Sequence, residues 1–308
     1  MKQQRQQRGV ALITAILIMA LIASLTYALE WDNNLDIRRT IVMQSRDQAI
    51  QVAMGAESWL ASILRQDGQD SDTDHLDEIW ATNLPPLPIE GGEVLGEVQD
   101  LTGRFNINNL LNSNGEIDET SLNQFRQLLL VLGLDPRLAD LTADWVDGDQ
   151  DAAFPDGAED PIYTAFTPPY RTANQQITTI SELAAIEGMD KASFDILAPH
   201  ITAIPGRMIL NANTATPAVL QSLHPDIDTA DVEGLLSQRA DGGFADVNKA
   251  FEQYFAPGDE KPDFDVLSNY FQLKVTVRID TVRITYFSLL YRSSQGDVTP
   301  VLRSLGTI

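Results

Sequence analysis

The chain contains no cysteine, which excludes a disulfide, a thiolate nucleophile and a zinc–sulfur site. That absence is permitted in any compartment and localises nothing. Histidine is scarce too: His75, His200 and His224 are scattered and have no partnered nucleophile motif. G-x-S-x-G, P-loop and H-E-x-x-H patterns do not occur, so no enzyme is expected. Basic residues are few, with 21 Lys and Arg against 44 Asp and Glu and a net charge of −23. This argues against nucleic acid as a partner, because phosphate binding needs clustered cations. The same acidity suits solubility, self-repulsion or capture of divalent cations. The acid pair Asp226 and Asp228 reads as turn and cap residues.

What is present begins with one long apolar run. At 308 residues the length prior gives about two domains. From Val10 to Leu29 there is no charge, and the only polar groups are Thr14, Ser24, Thr26 and the Tyr27 hydroxyl. As a helix this run reaches ~30 Å, the thickness of a bilayer core. Lys2, Arg5 and Arg8 precede it, and Glu30 and Asp32 follow it. The positive-inside rule therefore keeps the head in the cytoplasm and exports the body. A cleaved secretory signal has a shorter apolar core, about 7–15 residues, ending in small residues of A-x-A type. Thr26-Tyr27-Ala28 is a poor version of that site. Composition alone fits a plain signal anchor. Arg8-Gly9, however, stands immediately before the run, on its cytoplasmic side.

Helical character continues beyond the span. Leu35, Val42, Ala49, Ala53, Ala56, Leu60 and Ile63 share one helix face, and Gly68 is a plausible C-cap. One helix from about Val10 to Gln66 would be ~85 Å long. The acidic stretch from Asp67 to Asp77 reads as a solvated loop, and Leu84-Pro85-Pro86-Leu87-Pro88 as a stiff extended connector. Strand alternation appears from Glu93 to Asp100. It is cleaner at Phe271, Leu273, Val275, Val277 and Ile279. The parity then shifts to Val282, Ile284 and Tyr286, which places a tight turn or bulge near Asp280-Thr281. A further short strand is expected after Gly296. Together these strands form one antiparallel sheet on the aqueous half of the long helix.

Between the strands lies a helical block. Leu122, Phe125, Leu128, Leu129 and Leu132 form a stripe stopped by Gly133, and Asp135-Pro136 opens the next helix as N-cap and N1. Further helices are expected over Ser181 to Ile186, Asp190 to Leu197, Thr216-Pro217 to Leu223, Ala230 to Arg239 and Asp246 to Phe255. A weak repeat, "GRFNINNLL" at Gly103 and "GRMILNANTA" at Gly206, gives two helical halves, its Asn pairs capping helices and turning the chain.

The densest acidic cluster is "DWVDGDQDAAFPDGAEDPIY", Asp144 to Tyr163. Asp147, Asp149 and Asp151 alternate as at the opening of an EF-hand loop, where oxygen ligands curl around one Ca²⁺. Ala152 then occupies the usual glycine position and Ala158 that of the bidentate glutamate, while Glu159 and Asp160 lie just beyond. The spacing leaves two readings open, a solvated acidic loop and a cation site outside the EF-hand pattern. "VEGLLSQRADGGFADVNKAF" from Val232 is similar to helix-hairpin-helix modules. Its preceding connection, His224 to Asp228, has no glycine and two carboxylates, so a protein-contact scaffold is expected rather than a phosphate site.

"RGVALITAILIMALIASL" resembles the N-terminus of type IV pilin-like proteins, cut after Gly9 by a prepilin peptidase to leave Val10 first. Most pilins carry Glu at the fifth mature position, here Thr14, and that departure resembles the K-type minor pseudopilins of type II secretion. The resemblance extends over nearly the whole chain. It implies an α+β fold: a pilin-like long N-terminal helix packed on a small antiparallel sheet, with a large all-helical insertion (helix-hairpin-helix/SAM-like). The implied layout is a leader at 1–9, a transmembrane half-helix at 10–29 and a pilin-like part at 30–108. A helical insertion of two sub-modules at 109–268 and C-terminal strands at 269–308 complete it. Calcium sites in the helical domain are also implied, which favours Ca²⁺ at Asp147, Asp149, Asp151, Glu159 and Asp160. Implied partners are the I- and J-type minor pseudopilins, the major pseudopilin, the prepilin peptidase and inner-membrane lipid. The implied place is the bacterial inner membrane, single-pass, with the body periplasmic, and the pseudopilus tip after assembly. The rival expectation is a membrane-anchored periplasmic calcium-binding or adhesive protein without prepilin processing.

Overall fold

The computed structural model describes residues 4–82, 85–240, 242–244, 246–256, 258 and 260–306, with side chains from Val10 onward. Met1 to Gln3 of the expected leader and Leu84 of the expected connector lie outside the described residues.

Helix α1 runs without a break over Gln4–Asp70. It passes the expected stop at Gly68, whose missing side chain leaves room for Arg292, 3.3 Å from where a Cβ would sit. Strands β1 (Leu87–Ile89), β2 (Gly92–Asp100) and β3 (Phe105–Asn106) follow. The helical unit comprises α2 (Glu119–Val131), α3 (Arg137–Val146), α4 (Asp160–Tyr163) and α5 (Lys191–Leu197). It continues through β4 (Ile201–Thr202), β5 (Leu210–Asn211), α6 (Pro217–Gln221), α7 (Thr229–Gln238), α8 (Val247–Phe251) and β6 (Phe264–Asp265). Strands β7 (Tyr270–Ile279), β8 (Val282–Arg292) and β9 (Val298–Leu305) close the chain.

The five-stranded sheet has the order β1-β2-β7-β8-β9, every pair antiparallel. Its α1-facing side is the alternating set read from the sequence: Phe271, Leu273, Val275, Val277 and Ile279 are all buried. Asp280-Thr281 is a two-residue hairpin, with Asp280 in the left-handed region at φ 50°. Ala49 and Ala53 let α1 approach closely, and Leu60 and Leu64 fill the remaining space. The expected helix face is only partly used. Leu35 and Val42 are exposed, while Glu57 and Leu64, which were not in the expected set, are buried. Sheet contact begins near Ser45, whose hydroxyl donates to Asp280. N-terminal to it the apolar side chains from Val10 onward are bare.

The insertion is accommodated by register. Asp100, the last residue of β2, pairs with Phe271 at the start of β7, so the chain leaves and re-enters the sheet on adjacent strands. The unit between is not all-helical as expected. It carries two short parallel pairings, β3 with β4 and β5 with β6. Its core already includes Phe105 and Ile107, ahead of the expected boundary at 109. The start of α3 shifts by one residue: Pro136 is the N-cap and Asp135 Oδ1 accepts from the Arg137 amide at 3.0 Å.

The repeated Asn pairs tie distant segments together. Asn106 Nδ2 donates to the carbonyls of Ile204 and Gly206, and Asn108 Nδ2 to those of Ile177 and Ile204. In the second half, Asn211 Nδ2 donates to the Asp74 carbonyl and to Ser268, and Asn213 Oδ1 accepts from the Phe244 amide at 2.7 Å. Each pair therefore bridges segments far apart in sequence, satisfying buried backbone groups that short strands leave over. The glycine turn after α7 is spent in the same way. The Gly243 amide donates to the Arg239 carbonyl and the Phe244 amide to Asn213, so these amides point into the protein.

Candidate metal centre

α3 ends at Val146, and Asp147 is its C-cap in an extended conformation. This turns the acidic chain back over the end of the helix. Asp144, one turn earlier, accepts from the Ala153 amide through both carboxylate oxygens, at 3.3 and 3.1 Å. Gly157 packs so tightly under this turn that a Cβ would overlap the Asp144 carboxylate and the Ala153 backbone. Glu159, the N-cap of α4, then comes to face Asp147.

One carboxylate oxygen from each of Asp147, Asp149 and Glu159 lies within 4.8 Å of the other two. Asp147 and Glu159 are buried and Asp149 is exposed. Glu159 Oε2 accepts from Thr172 Oγ1 at 3.1 Å and Gln150 Nε2 at 3.3 Å. Among the described residues, Asp147 Oδ1 and Glu159 Oε1 are buried without a hydrogen-bond partner. Burial pushes the Asp147 carboxyl up to about 6, reinforced by Asp149 and Asp144. Burial pushes Glu159 up to about 7 against the opposing hydrogen bond from Thr172, with Asp144 adding repulsion. Asp144 is raised to about 6, again chiefly by burial. Converging buried oxygens without donors are what a hard cation neutralises.

The five sequence candidates divide. Asp147, Asp149 and Glu159 are brought together. Asp160 is not part of the group: its Oδ1 accepts from the Thr172 amide and hydroxyl, and its Oδ2 lies 3.4 Å from Arg171 Nη1. Asp151 is exposed and outside the group, its amide donating to Asp149 Oδ1. The alternating run thus contributes its first two members and the Glu159-Asp160 pair its first. Asn174 was not found from the sequence. Its Nδ2 donates to the Asp149 carbonyl at 2.7 Å, while its Oδ1 is buried and unpartnered among the described residues. It stands 25 residues beyond Asp149, where no local spacing marks it.

A second carboxylate group, Asp67, Asp74 and Glu78, already has a cation bound to two of its members. Arg292 from β8 forms an ion pair with Asp67 at 3.0 Å and a second with Asp74.

Two sequence profiles of the type II secretion system protein K family match residues 103–206 and 210–272, which span the helical unit and the first residues of β7. A type II secretion system protein K of Pseudomonas aeruginosa is 32% identical, over 98% of this chain and 94% of its own. One from Klebsiella pneumoniae is 33% identical over 84% of this chain and 82% of its own. Among solved structures, the GspK-GspI-GspJ complex from the enterotoxigenic Escherichia coli type 2 secretion system contains a similar chain. It has a TM-score of 0.75 and 26% identity, covering 88% of this chain and all of that one. Near-full-length identity above 30%, with both profiles falling in order on the helical unit, makes this chain a member of the type II secretion system protein K family.

Proposed function

We propose that the chain works as a minor pseudopilin of type II secretion. It is cut between Gly9 and Val10 by a prepilin peptidase and sits at the pseudopilus tip. The observation that carries this reading is α1 itself. One continuous helix is bare and apolar from Val10 to Leu29, and its distal part is built into the sheet through Ala49, Ala53, Leu60 and Leu64. Such a helix resides in lipid before assembly and packs against neighbouring helices afterwards. Apolar tails already surround it in the bilayer, so close packing rather than the hydrophobic effect decides the exchange. Before assembly the body is periplasmic and the helix holds it to the inner membrane.

The broad helical unit leaves the sheet between adjacent strands and would obstruct a subunit stacked above it, which favours the tip. Thr14, in place of the glutamate common in pilins, fits a subunit that need not contact a neighbour's N-terminus. The solved relative is described in a complex with GspI and GspJ, so the I- and J-type minor pseudopilins are the proposed partners, with the major pseudopilin below them. The role is mechanical.

Ca²⁺ belongs to this reading. Asp147, Asp149 and Glu159 would hold it, with the Asn174 oxygen beside them, and the orphaned buried oxygens support the assignment. The cation supplies charge neutralisation and fixes the loop between α3 and α4.

Complementation tests the function. In a type II-secreting bacterium lacking its own K protein, this chain is expected to restore export of folded exoproteins, whereas a Gly9→Leu variant is not. Equal restoration by both would remove the pseudopilin reading.

A further inference from the structure

β9 is an outer strand of the sheet, and among the described residues no strand pairs with its free side. The opposite edge, β1, is 3 residues long, whereas β9 has 8. Long bare edges normally carry a lysine, a proline or a bulge that discourages pairing. β9 has Pro300, and its register with β8 shifts beside that residue, at Leu289/Leu290. Both features lie in its first half. From Leu302 to Leu305 the register is regular, and neither guard is present. Arg303, the one charge in this stretch, is held by Glu57. The Gly306 amide donates to the Thr285 carbonyl of β8. By the alternation of a strand, the backbone groups of Arg303 and Leu305 therefore point away from β8 and out of the sheet.

Next to this stretch, between the helical unit and the sheet face turned away from α1, lies a cleft of about 400 Å³. Phe287, Leu289 and Leu302 form its floor, and Ile180, Ala203 and Arg104 line the side of the helical unit. Leu302 is 44% exposed. No Asp or Glu lines the cleft. Arg104 Nη2 donates to Gln99 Oε1 at 2.7 Å, and among the described residues its guanidinium has no ion pair. Asp100, whose charge acts on Arg104, is itself engaged by Thr102, Thr214 and Ser268. A half-buried guanidinium without a counter-ion, beside an apolar floor, suits a carboxylate.

We propose that β9 accepts an extended segment of another protein as a sixth strand of the sheet. The outward backbone groups of Arg303 and Leu305 would hold the segment, and the cleft would select it. Side chains two residues apart on the added strand point into the cleft together. One lies over Phe287 and Leu302 and is apolar; the other is an Asp or Glu that pairs with Arg104. The segment therefore reads apolar-x-acidic. A second copy of β9 does not fit this pattern, because Val298–Leu305 contains no Asp or Glu, and Arg104 would stay unmatched. The edge and the cleft belong to the folded body alone, so the inference goes beyond the pseudopilin reading and does not depend on cleavage after Gly9.

The test places the photocrosslinker p-benzoylphenylalanine at position 302 of the full chain, in secreting cells, and sequences the peptide it captures. Position 276, on the same sheet face but outside the cleft, is the control. An adduct is expected from 302 and not from 276, to a segment of another protein with Asp or Glu two residues from an apolar side chain. Leu305→Pro removes an outward amide and no bond to β8, and Arg104→Glu reverses the charge of the cleft. Each is expected to lower the adduct about fivefold or more without lowering the melting temperature. Lysine at the partner's acidic position is expected to restore the adduct to Arg104→Glu. No adduct from 302, an adduct to a second copy of this chain or to lipid, or one that survives both substitutions would overturn the proposal.

Discussion

Glu57 of α1 and Arg303 of β9 form a two-pronged pair, with Nη2 to Oε1 at 2.7 Å and Nε to Oε2 at 3.0 Å. The Tyr286 hydroxyl donates to the same Oε2 at 2.6 Å. Burial pushes Glu57 up, yet the hydrogen bonds from Arg303 and Tyr286 outweigh it and bring the carboxyl down to about 2. A single buried carboxylate thus pins the long helix to the edge strand of the sheet.

Glu57→Ala leaves the Tyr286 hydroxyl and Arg303 without their acceptor, and the melting temperature of the detergent-solubilised full chain is expected to fall by several degrees. The folded-state carboxyl lies below its ordinary value of 4.5. Its stabilisation is therefore complete above about pH 4.5 and lost as pH falls towards 2. An unchanged melting temperature for Glu57→Ala at neutral pH would contradict this role.

Arg292 is buried among Asp67, Asp74 and the carbonyls of Leu64 and Ser268. It ties the end of α1 to the re-entry point of the chain. Arg292→Ala strands the buried Asp74 carboxylate and is expected to cost ~3–5 kcal/mol in chemical denaturation. Arg292→Ala combined with Asp74→Asn is expected to recover part of that loss. Additive costs would show that the two side chains do not act as a pair.

The strands were legible because period-2 burial is written directly in residues 271–279, and the hairpin at Asp280-Thr281 because the parity changes there. The bare half of α1 was equally plain. Its packed half was less so, since Glu57 and Arg292 are polar residues buried by partners more than 200 residues away. The parallel pairings β3-β4 and β5-β6 are two residues long and carry no periodicity. At the candidate metal centre, the alternation of Asp147 and Asp149 was readable. The exclusion of Asp160 depends on Thr172 and Arg171, and the presence of Asn174 depends on tertiary folding.

Calcium titration of the full chain by calorimetry is expected to show binding that Asp147→Asn or Glu159→Gln weakens at least tenfold. Asp151→Asn is expected to change it less than threefold, because Asp151 lies outside the carboxylate group. Equal losses for all three variants would mean that general acidity, rather than this site, attracts the cation.

The same site sets a pH dependence. Asp147 at about 6 and Glu159 at about 7 lie above their ordinary values, so the cation-free folded chain binds more protons than the unfolded chain. Stability without cation should then fall as pH rises from about 4 through 7. Calcium replaces those protons, so its stabilisation is expected to be larger at pH 7.5 than at pH 5.5. Thermal melts with 1 mM calcium and with chelator check this, and an equal calcium shift at both pH values would contradict it.

The most direct measurement is the intact mass and N-terminal peptide of the membrane-extracted protein, from cells with and without prepilin peptidase. The expected result is a chain beginning at Val10 only where the peptidase is present. A chain that retains residues 1–9 in both strains would contradict the account and leave a permanently anchored protein.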